Sequence, residues 1–165
     1  MKKIIFIIFL CISQNPCYSQ EKQILLEDIW KNYSFFPKSY SGLNSMNNGE
    51  FYTQIKNTED GQEIIKYSFK NGNRIVRLFK SSDFKIKRIN SYSLSDDDEL
   101  MLLATETESI YRYSRKAIYY VFNIQNNKLK KLSENKIRYP TFSPDRSKIA
   151  YVFENNLFIK DITNG

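Results

Sequence analysis

The stretch that decides the fold is residues 139–165, which reads Tyr-Pro-Thr-Phe-Ser-Pro-Asp-Arg-Ser-Lys-Ile-Ala-Tyr-Val-Phe-Glu-Asn-Asn-Leu-Phe-Ile-Lys-Asp-Ile-Thr-Asn-Gly. Three short apolar runs suit β-strands, and polar residues separate them. In the first turn, Pro144 restricts its own backbone and Asp145 can hydrogen-bond to nearby backbone, as tight turns require. The pattern predicts three strands, at residues 139–142, 148–153 and 157–162, and the chain ends on a further turn signal, Asn164-Gly165.

The same strand–turn–strand pattern occurs twice more upstream. Residues 95–103 repeat it about 48 residues before residues 143–151, and residues 46–52 give a fainter copy about 49 residues earlier. A period of that length is typical of β-propellers, whose blades are four-stranded antiparallel sheets. Any all-β chain can repeat this pattern by chance, but a spacing that recurs twice favours blades. The sequence therefore predicts an all-β, incomplete β-propeller.

Two four-stranded blades and most of a third are predicted within a partial propeller domain at residues 39–165. The blades cover about residues 40–80, 89–133 and 137–165, by the spacing of turn signals such as Asp60-Gly61 and Asn71-Gly72. The strands predicted in the first two blades are residues 42–46, 51–56, 63–69, 74–79, 89–94, 100–105, 117–124 and 128–132. Residues 106–116 would then form an unusually long loop in the second blade, and long loops in regular arrays are often functional.

The N-terminal residues are predicted to be a targeting segment followed by a helix. Residues 1–19 have a positively charged start, an apolar run at residues 4–12 and a small residue, Ser19, suited to a cleavage site. The apolar run is too short to span a bilayer as a helix, although a membrane anchor is the alternative. We therefore expect export to the periplasm or to the cell surface and exterior. Residues 20–38 form an N-terminal helical segment, with apolar side chains on one face across residues 23–33.

Composition excludes several classes of function. The sequence has no histidine, and its two cysteines lie within the predicted signal peptide, so Ser-His-Asp triads, Cys-His pairs and the usual zinc sites cannot form from the remainder. The net charge of +7 falls to about +5 without Lys2 and Lys3, and its cations are interleaved with acidic residues. Such dispersed charge argues against nucleic-acid binding. No cofactor or metal ion is predicted.

Several segments carry a resemblance to a known family. Residues 28–33, Asp-Ile-Trp-Lys-Asn-Tyr, with Phe36 and Pro37 soon after, are similar to the beginning of bacterial dipeptidyl peptidase IV proteins, which belong to the prolyl oligopeptidase family of serine peptidases. Residues 45–50, Ser-Met-Asn-Asn-Gly-Glu, and residues 105–114, Thr-Glu-Thr-Glu-Ser-Ile-Tyr-Arg-Tyr-Ser, resemble the same proteins. The resemblance covers nearly the whole chain after the signal peptide, and its aromatic-Arg-aromatic-Ser element is the most specific part.

The resemblance implies a larger parent protein. Members of the family join an eight-bladed propeller to an α/β-hydrolase domain and remove Xaa-Pro dipeptides from peptide N-termini. Their catalytic Ser, Asp and His, and a Glu pair that holds the substrate amine, lie in segments that this chain does not contain. We therefore assign no catalytic residue and expect the chain alone to be inert. Its implied partners are peptides with N-terminal Xaa-Pro and the C-terminal hydrolase domain, and homodimerisation of the parent stays open.

One functional residue carries over from the resemblance. Arg112 matches the propeller arginine that reaches the active-site cavity and binds a substrate carbonyl, although Tyr113 stands where many relatives have His. Its guanidinium is always charged and offers a planar set of donors. The structural alternative is that Arg112 pairs with Glu106 or Glu108 to hold the loop. The two glutamates would lie on one face of a continuing strand, where ion pairs explain them as well as acid/base chemistry does.

An acidic run, Asp96-Asp97-Asp98-Glu99, invites a calcium interpretation. An EF-hand loop needs alternating ligands and a glycine at its sixth position, and the run has neither. It is predicted to be a solvated turn of a blade.

The sequence thus predicts an N-terminal propeller part of an exported dipeptidyl peptidase IV-like peptidase, which contributes substrate positioning and access. The alternative is a stand-alone exported propeller module that binds a protein or ligand without catalysis, and a weaker third option is an enzyme that uses carboxylates. Three blades cannot close a ring, so the chain alone is expected to be marginally stable or prone to aggregation.

Overall fold

The computed structural model describes residues 23–37 and 42–162 of the 165-residue chain. The chain divides into two compact units, Met1–Ser39 and Tyr40–Gly165. The predicted signal peptide and the Asn164-Gly165 turn lie outside the described residues. Among the residues that are described, no helix is long and apolar enough to cross a membrane.

In the first unit, the predicted helix is present but short. Helix α1 (Leu26–Trp30) covers the middle of the predicted range. The Asp28 carboxylate accepts a hydrogen bond from the Leu25 backbone N–H at its start, and Tyr33 follows its end with a φ of 49°, which no helix can continue. Its apolar side chains are largely exposed, with Trp30 at 73%.

Within residues 42–162, the second unit contains eleven strands in three antiparallel sheets, which confirms the predicted all-β architecture. The first sheet contains β1 (Leu43–Ser45), β2 (Phe51–Thr58), β3 (Gly61–Ser68) and β4 (Arg74–Lys80), the second β5 (Ser91–Leu94), β6 (Leu100–Ser109), β7 (Arg115–Asn123) and β8 (Lys128–Lys131), and the third β9 (Arg138–Phe142), β10 (Lys148–Phe153) and β11 (Asn156–Asp161). Each sheet is a meander in which consecutive strands pair. A 3-10 helix (Ser81–Phe84) follows the first sheet.

The hydrophobic cores lie between successive sheets, as in a propeller. Side chains alternate between the two faces of a strand, so β6 directs Met101 and Leu103 to one side and Leu102 to the other. Met101 and Leu103 belong to a core shared with Ile64 and Phe79 of the first sheet. Leu102 belongs to a second core, shared with Ile149 of the third sheet. The second sheet is therefore covered on both faces, which a two-sheet sandwich does not allow.

The predicted long loop at residues 106–116 is wrong. Strands β6 and β7 extend through most of it, leaving only the five-residue turn 110–114. Thr105 pairs with Ile118 and Glu108 pairs with Lys116, so Glu106 and Thr107 both face Ala117 in a β-bulge. The extra residue breaks the period-2 pattern of the strand, and this is why the sequence reads as a loop.

The turns that link the first and second strands of the second and third sheets are built alike. In the second sheet the Ser95 hydroxyl donates a hydrogen bond to Asp97 over 2.6 Å and accepts one from the Leu100 N–H over 2.9 Å. In the third sheet the Ser143 hydroxyl does the same with Asp145 and with the Lys148 N–H, over 2.6 and 3.0 Å. The repeat identified in the sequence is thus a repeat of side-chain contacts.

Candidate functional site

The β6–β7 hairpin, defined as residues 100–123, carries the predicted substrate-binding arginine at its tip. Arg112 is exposed in the turn between the strands, and within residues 42–162 its side chain has neither an ion pair nor a hydrogen bond. Its neighbours Tyr111 and Tyr113 are 79% and 86% exposed. The tip therefore presents a guanidinium without a partner in residues 42–162, flanked in sequence by two exposed tyrosines, a composition that suits recognition of a carbonyl or carboxylate.

Ser114 closes the turn that carries Arg112. Its carbonyl oxygen accepts hydrogen bonds from the N–H groups of Ile110 and Tyr111, over 2.8 and 3.3 Å. Its hydroxyl is hydrogen-bonded to the hydroxyl of Tyr139 in β9, with 2.8 Å between the oxygens. The turn is thus fixed internally and also attached to the third sheet.

Ion pairs at the stem of the hairpin involve Glu108 rather than Arg112. The Glu108 carboxylate contacts the Lys136 ammonium at 2.5 Å and the Lys116 ammonium at 3.0 Å. Hydrogen bonds from Lys136 first, and then from Lys116, hold the pKa of Glu108 below its ordinary value. The structural alternative for Arg112, a pair with Glu106 or Glu108, does not form among the described residues. Nor does β6 continue regularly there, because Glu106 lies in the bulge with a φ of 49°.

A cavity of about 240 Å³ lies beside the tip, between the second and third sheets. Its wall includes the rings of Tyr113, Tyr119 and Tyr139, with Pro140 and Arg115. Burial raises the pKa of the Tyr119 hydroxyl above its ordinary value. This cavity could not be predicted from the sequence, because its lining residues come from four strands (β5, β6, β7 and β9) and from the turn at residues 110–114.

The acidic run is a turn between β5 and β6 with Asp96 and Asp97 exposed, as predicted, and it also contacts both neighbouring sheets. The Asn47 backbone N–H donates to the Asp98 carboxylate over 3.0 Å, and its side-chain amide donates to the Asp96 carbonyl over 2.6 Å. On the other side, Arg146 of the third sheet pairs with both Asp97 and Glu99. Three turns at equivalent positions of the repeat are thereby joined in series along one rim of the array. The near-49-residue spacing places the three turns at equivalent positions of the repeat, but it does not specify which of their side chains meet.

The pKa of Asp97 is lowered by its contacts within and between the turns. Burial opposes its ionisation, but hydrogen bonds from the Ser95 hydroxyl and the Glu99 N–H, together with the Arg146 charge, lower the pKa of Asp97 below its ordinary value. In the part of the chain that the structure describes, no group of three or more His, Cys, Asp and Glu side chains is arranged to hold a metal ion. The carboxylates of this rim therefore act as acceptors for side chains of neighbouring sheets.

Stacked antiparallel sheets of one repeated design, with cores between them, define a protein of the β-propeller class. Residues 95–165 match the family model of the dipeptidyl peptidase IV N-terminal region. Among curated proteins, the chain is 29% identical to prolyl endopeptidase FAP of Mus musculus, over 93% of this chain and 20% of that protein. It is 30% identical to dipeptidyl peptidase 4 of Felis catus, over 84% of this chain and 18% of that protein.

A solved structure shares both sequence and fold with the chain. The crystal structure of Porphyromonas gingivalis dipeptidyl peptidase 4 is 35% identical, with a TM-score of 0.68, over 86% of this chain and 20% of that chain. The chain thus belongs to the dipeptidyl peptidase IV family, within its N-terminal propeller region. It spans about a fifth of the length of the relatives that it matches.

Proposed function

We propose that this chain is a propeller segment of an exported dipeptidyl peptidase IV-like serine peptidase, where it positions the substrate and controls access to the active site. The nucleophile would lie in the hydrolase portion of that protein. The substrate would be a peptide from which an N-terminal Xaa-Pro dipeptide is released. The observation that carries the proposal is the unpaired Arg112 at the tip of the β6–β7 hairpin in a chain of this family.

The chemistry of the tip supports substrate contact. A guanidinium that is not neutralised by a neighbouring carboxylate keeps its donors available for a carbonyl oxygen of a bound peptide. The flanking rings of Tyr111 and Tyr113 offer apolar surface to the same ligand. The stem of the hairpin is meanwhile held by Lys116 and Lys136 through Glu108. Arg112 is thus an unpaired cation, within the described residues, at the tip of a hairpin whose stem is held by ion pairs.

The test is a steady-state measurement on the longer gene product in which the chain is proposed to occur. With Gly-Pro-p-nitroanilide as substrate, Arg112→Ala is expected to lower kcat/KM by about tenfold to a hundredfold, the range for loss of one hydrogen bond from a charged donor. Arg88→Ala is the matched control, because Arg88 is exposed before β5 and has no ion pair within the described residues. Equal kinetics of both variants and the wild type would reject substrate contact by Arg112.

The reading frame distinguishes the peptidase from a stand-alone binding module. If the DNA after the codon for residue 165 continues in frame and encodes a Glu-Glu pair and then Gly-x-Ser-x-Gly, the peptidase proposal is supported. A stop codon with no hydrolase gene nearby would favour the module. Export is tested separately by the N-terminal sequence of the protein recovered from the periplasm or medium. A chain that begins at Gln20 is expected, and an intact Met1 would contradict cleavage.

A further inference from the structure

We propose that Tyr139 is a positioning residue for Arg112. Residues 136–139, here called the connecting segment, lead from the second sheet into β9 and run along the β6–β7 hairpin. Tyr139 makes the outermost contact of this segment, at the turn that carries Arg112. This inference rests on the proposed function, since Arg112 is taken to contact the substrate, but the attachment of the tip is tested independently below.

Among the described residues, three polar contacts join the connecting segment to the hairpin, beside the apolar packing of Ile137 in one core with Leu102. Two hold the stem: Lys136 pairs with Glu108 at 2.5 Å, and Ile137 exchanges backbone hydrogen bonds with Ala117 over 2.9 and 3.1 Å. The third holds the tip, where the hydroxyls of Tyr139 and Ser114 lie 2.8 Å apart. The tip contact is the only one of the three that acts on the turn itself.

The local sequence explains why Tyr139 reaches the neighbouring sheet. β10 pairs through Ala150 with Thr141 and through Val152 with Arg138, so the two residues between them, Tyr139 and Pro140, form a bulge. Pro140 has no N–H for the ladder, and proline in a sheet is tolerated at such bulges. Tyr139 has a φ of 52°, a conformation that a residue with a Cβ rarely adopts unless its surroundings hold it. Bulges redirect side chains, and this bulge directs the Tyr139 side chain toward Ser114.

Restraint of Ser114 restrains Arg112 because Ser114 closes the turn. The Ser114 carbonyl oxygen accepts hydrogen bonds from the N–H groups of Ile110 and Tyr111, so any displacement of Ser114 also displaces the five-residue turn. If the turn is already ordered before the substrate binds, less conformational entropy is lost on binding, and the substrate binds more tightly. Loss of the Tyr139 hydroxyl would leave the chemistry of Arg112 intact and weaken substrate binding alone. The expected signature is a higher KM with little change in kcat.

The first measurement is amide hydrogen exchange on the longer gene product, read by mass spectrometry in the peptide that contains residues 110–114. Tyr139→Phe and Ser114→Ala are each expected to speed exchange at Ile110 and Tyr111 by about threefold to tenfold, as for loss of one neutral hydrogen bond. The double variant should match the single variants, because all three lack the same bond. Tyr113→Phe is the control, since the Tyr113 hydroxyl has no partner among the described residues. Unchanged exchange in Tyr139→Phe would overturn the attachment of the tip.

The second measurement uses the longer gene product with Gly-Pro-p-nitroanilide. Tyr139→Phe is expected to raise KM by about threefold to tenfold and to change kcat by less than about twofold. If Arg112→Ala impairs the enzyme while Tyr139→Phe leaves KM unchanged, the positioning role is wrong and the proposed function stands. If Arg112→Ala has no effect, the proposed function and the positioning of a substrate contact both fail, while faster exchange would still establish the attachment.

Discussion

Asp145 accepts three hydrogen bonds within its own turn, and this makes its carboxylate strongly acidic. The Ser143 hydroxyl donates over 2.6 Å, and Ser147 donates with its hydroxyl and its N–H over 2.8 and 3.1 Å. These bonds, that from Ser143 first, lower the pKa of Asp145 from 3.8 to about 2. A carboxyl whose pKa is lower in the folded chain than in the unfolded chain stabilises the fold only while it is ionised.

We expect Asp145→Asn to change the acid sensitivity of the fold. The contribution of Asp145 is fully present above its unfolded pKa and is lost as the pH falls from about 4 to about 2. The variant should therefore melt at a lower temperature at neutral pH, and its melting temperature should approach that of the wild type near pH 2. Circular dichroism melts across this range test it. Asp96→Asn, in the neighbouring rim turn, is the control and should keep the wild-type dependence of melting temperature on pH. If the curves of melting temperature against pH for Asp145→Asn and the wild type run parallel, the prediction is contradicted.

A second residue-scale contact joins the first two sheets. The Tyr92 hydroxyl donates to the Thr53 hydroxyl over 2.8 Å, and Thr53 is completely buried. Burial raises the pKa of Tyr92, partly offset by hydrogen bonds to Thr53 and Asn44. Removing only one of the two hydroxyls leaves the other buried without this partner. That loss of stability is larger than expected from removing both hydroxyls together.

Tyr92→Phe is expected to lower the free energy of unfolding by about 1 kcal/mol, and Thr53→Val by a similar amount. The double variant should lose less than the sum of the two, because neither hydroxyl is then left unpaired. Urea unfolding followed by circular dichroism gives all four values. Tyr67→Phe, which removes a hydroxyl without a partner among the described residues, should change the free energy little. Strict additivity would show that the two hydroxyls are not coupled.

At the scale of strands and sheets, aromatic packing between blades is concentrated around β7. Phe122 is completely buried and contacts the rings of Phe79 and Phe84 edge-on, at centroid distances of 4.9 and 5.5 Å. These partners come from β4 and from the 3-10 helix, so one side chain ties the second sheet to the first sheet and to the segment between them. Burial of Phe122 therefore makes the stability of the second sheet depend on the first.

Phe122→Ala should destabilise the chain by about 3 to 5 kcal/mol, the range for removal of a buried aromatic ring. In a marginally stable chain this is enough to abolish the fold, so the far-ultraviolet circular dichroism of strands should be lost at 25 °C. Phe69→Ala, at a half-exposed ring of the first sheet, is the control and should retain the signal. A folded Phe122→Ala variant with near wild-type stability would contradict the interpretation that the sheets depend on one another.

At the scale of the whole second unit, the third sheet has one covered and one open face. Tyr151 and Phe153 face the second sheet, whereas Ala150 and Val152 on the opposite face pair with Ile159 and Leu157. Leu157 and Ile159 are 69% and 67% exposed. An exposed apolar surface on a sheet is prone to self-association.

We expect Leu157→Lys combined with Ile159→Lys to raise the fraction of monomer without weakening the core. Size-exclusion chromatography at several protein concentrations measures this fraction. Ile75→Lys combined with Val76→Lys adds the same charge to half-exposed positions of β4 and shows whether charge alone is sufficient. An equal gain in both variants would attribute the effect to net charge, and no gain in either would show that this face does not drive association.

Much of the array was predictable because its signals are local. Turn residues and the alternation of apolar side chains located every strand of the three sheets, with ends within about two residues except for β6. β6 was the exception because the Glu106–Thr107 bulge breaks the alternation on which that prediction depended. The prediction that Arg112 contacts the substrate came only from the resemblance, since nothing in the local sequence distinguishes it from other exposed cations.

By itself, the sequence determined the repeated blades, the lack of histidine in these 165 residues and the family, because periodicity, composition and motifs are properties of the chain read in order. Tertiary structure alone decided which side chains meet between sheets. Asn47 with Asp98, Arg146 with Asp97, and Tyr139 with Ser114 are brought together by the stacking of blades and not by proximity in the chain. Stacking depends on packing across faces, and neither the period nor the turns of a single blade specify that.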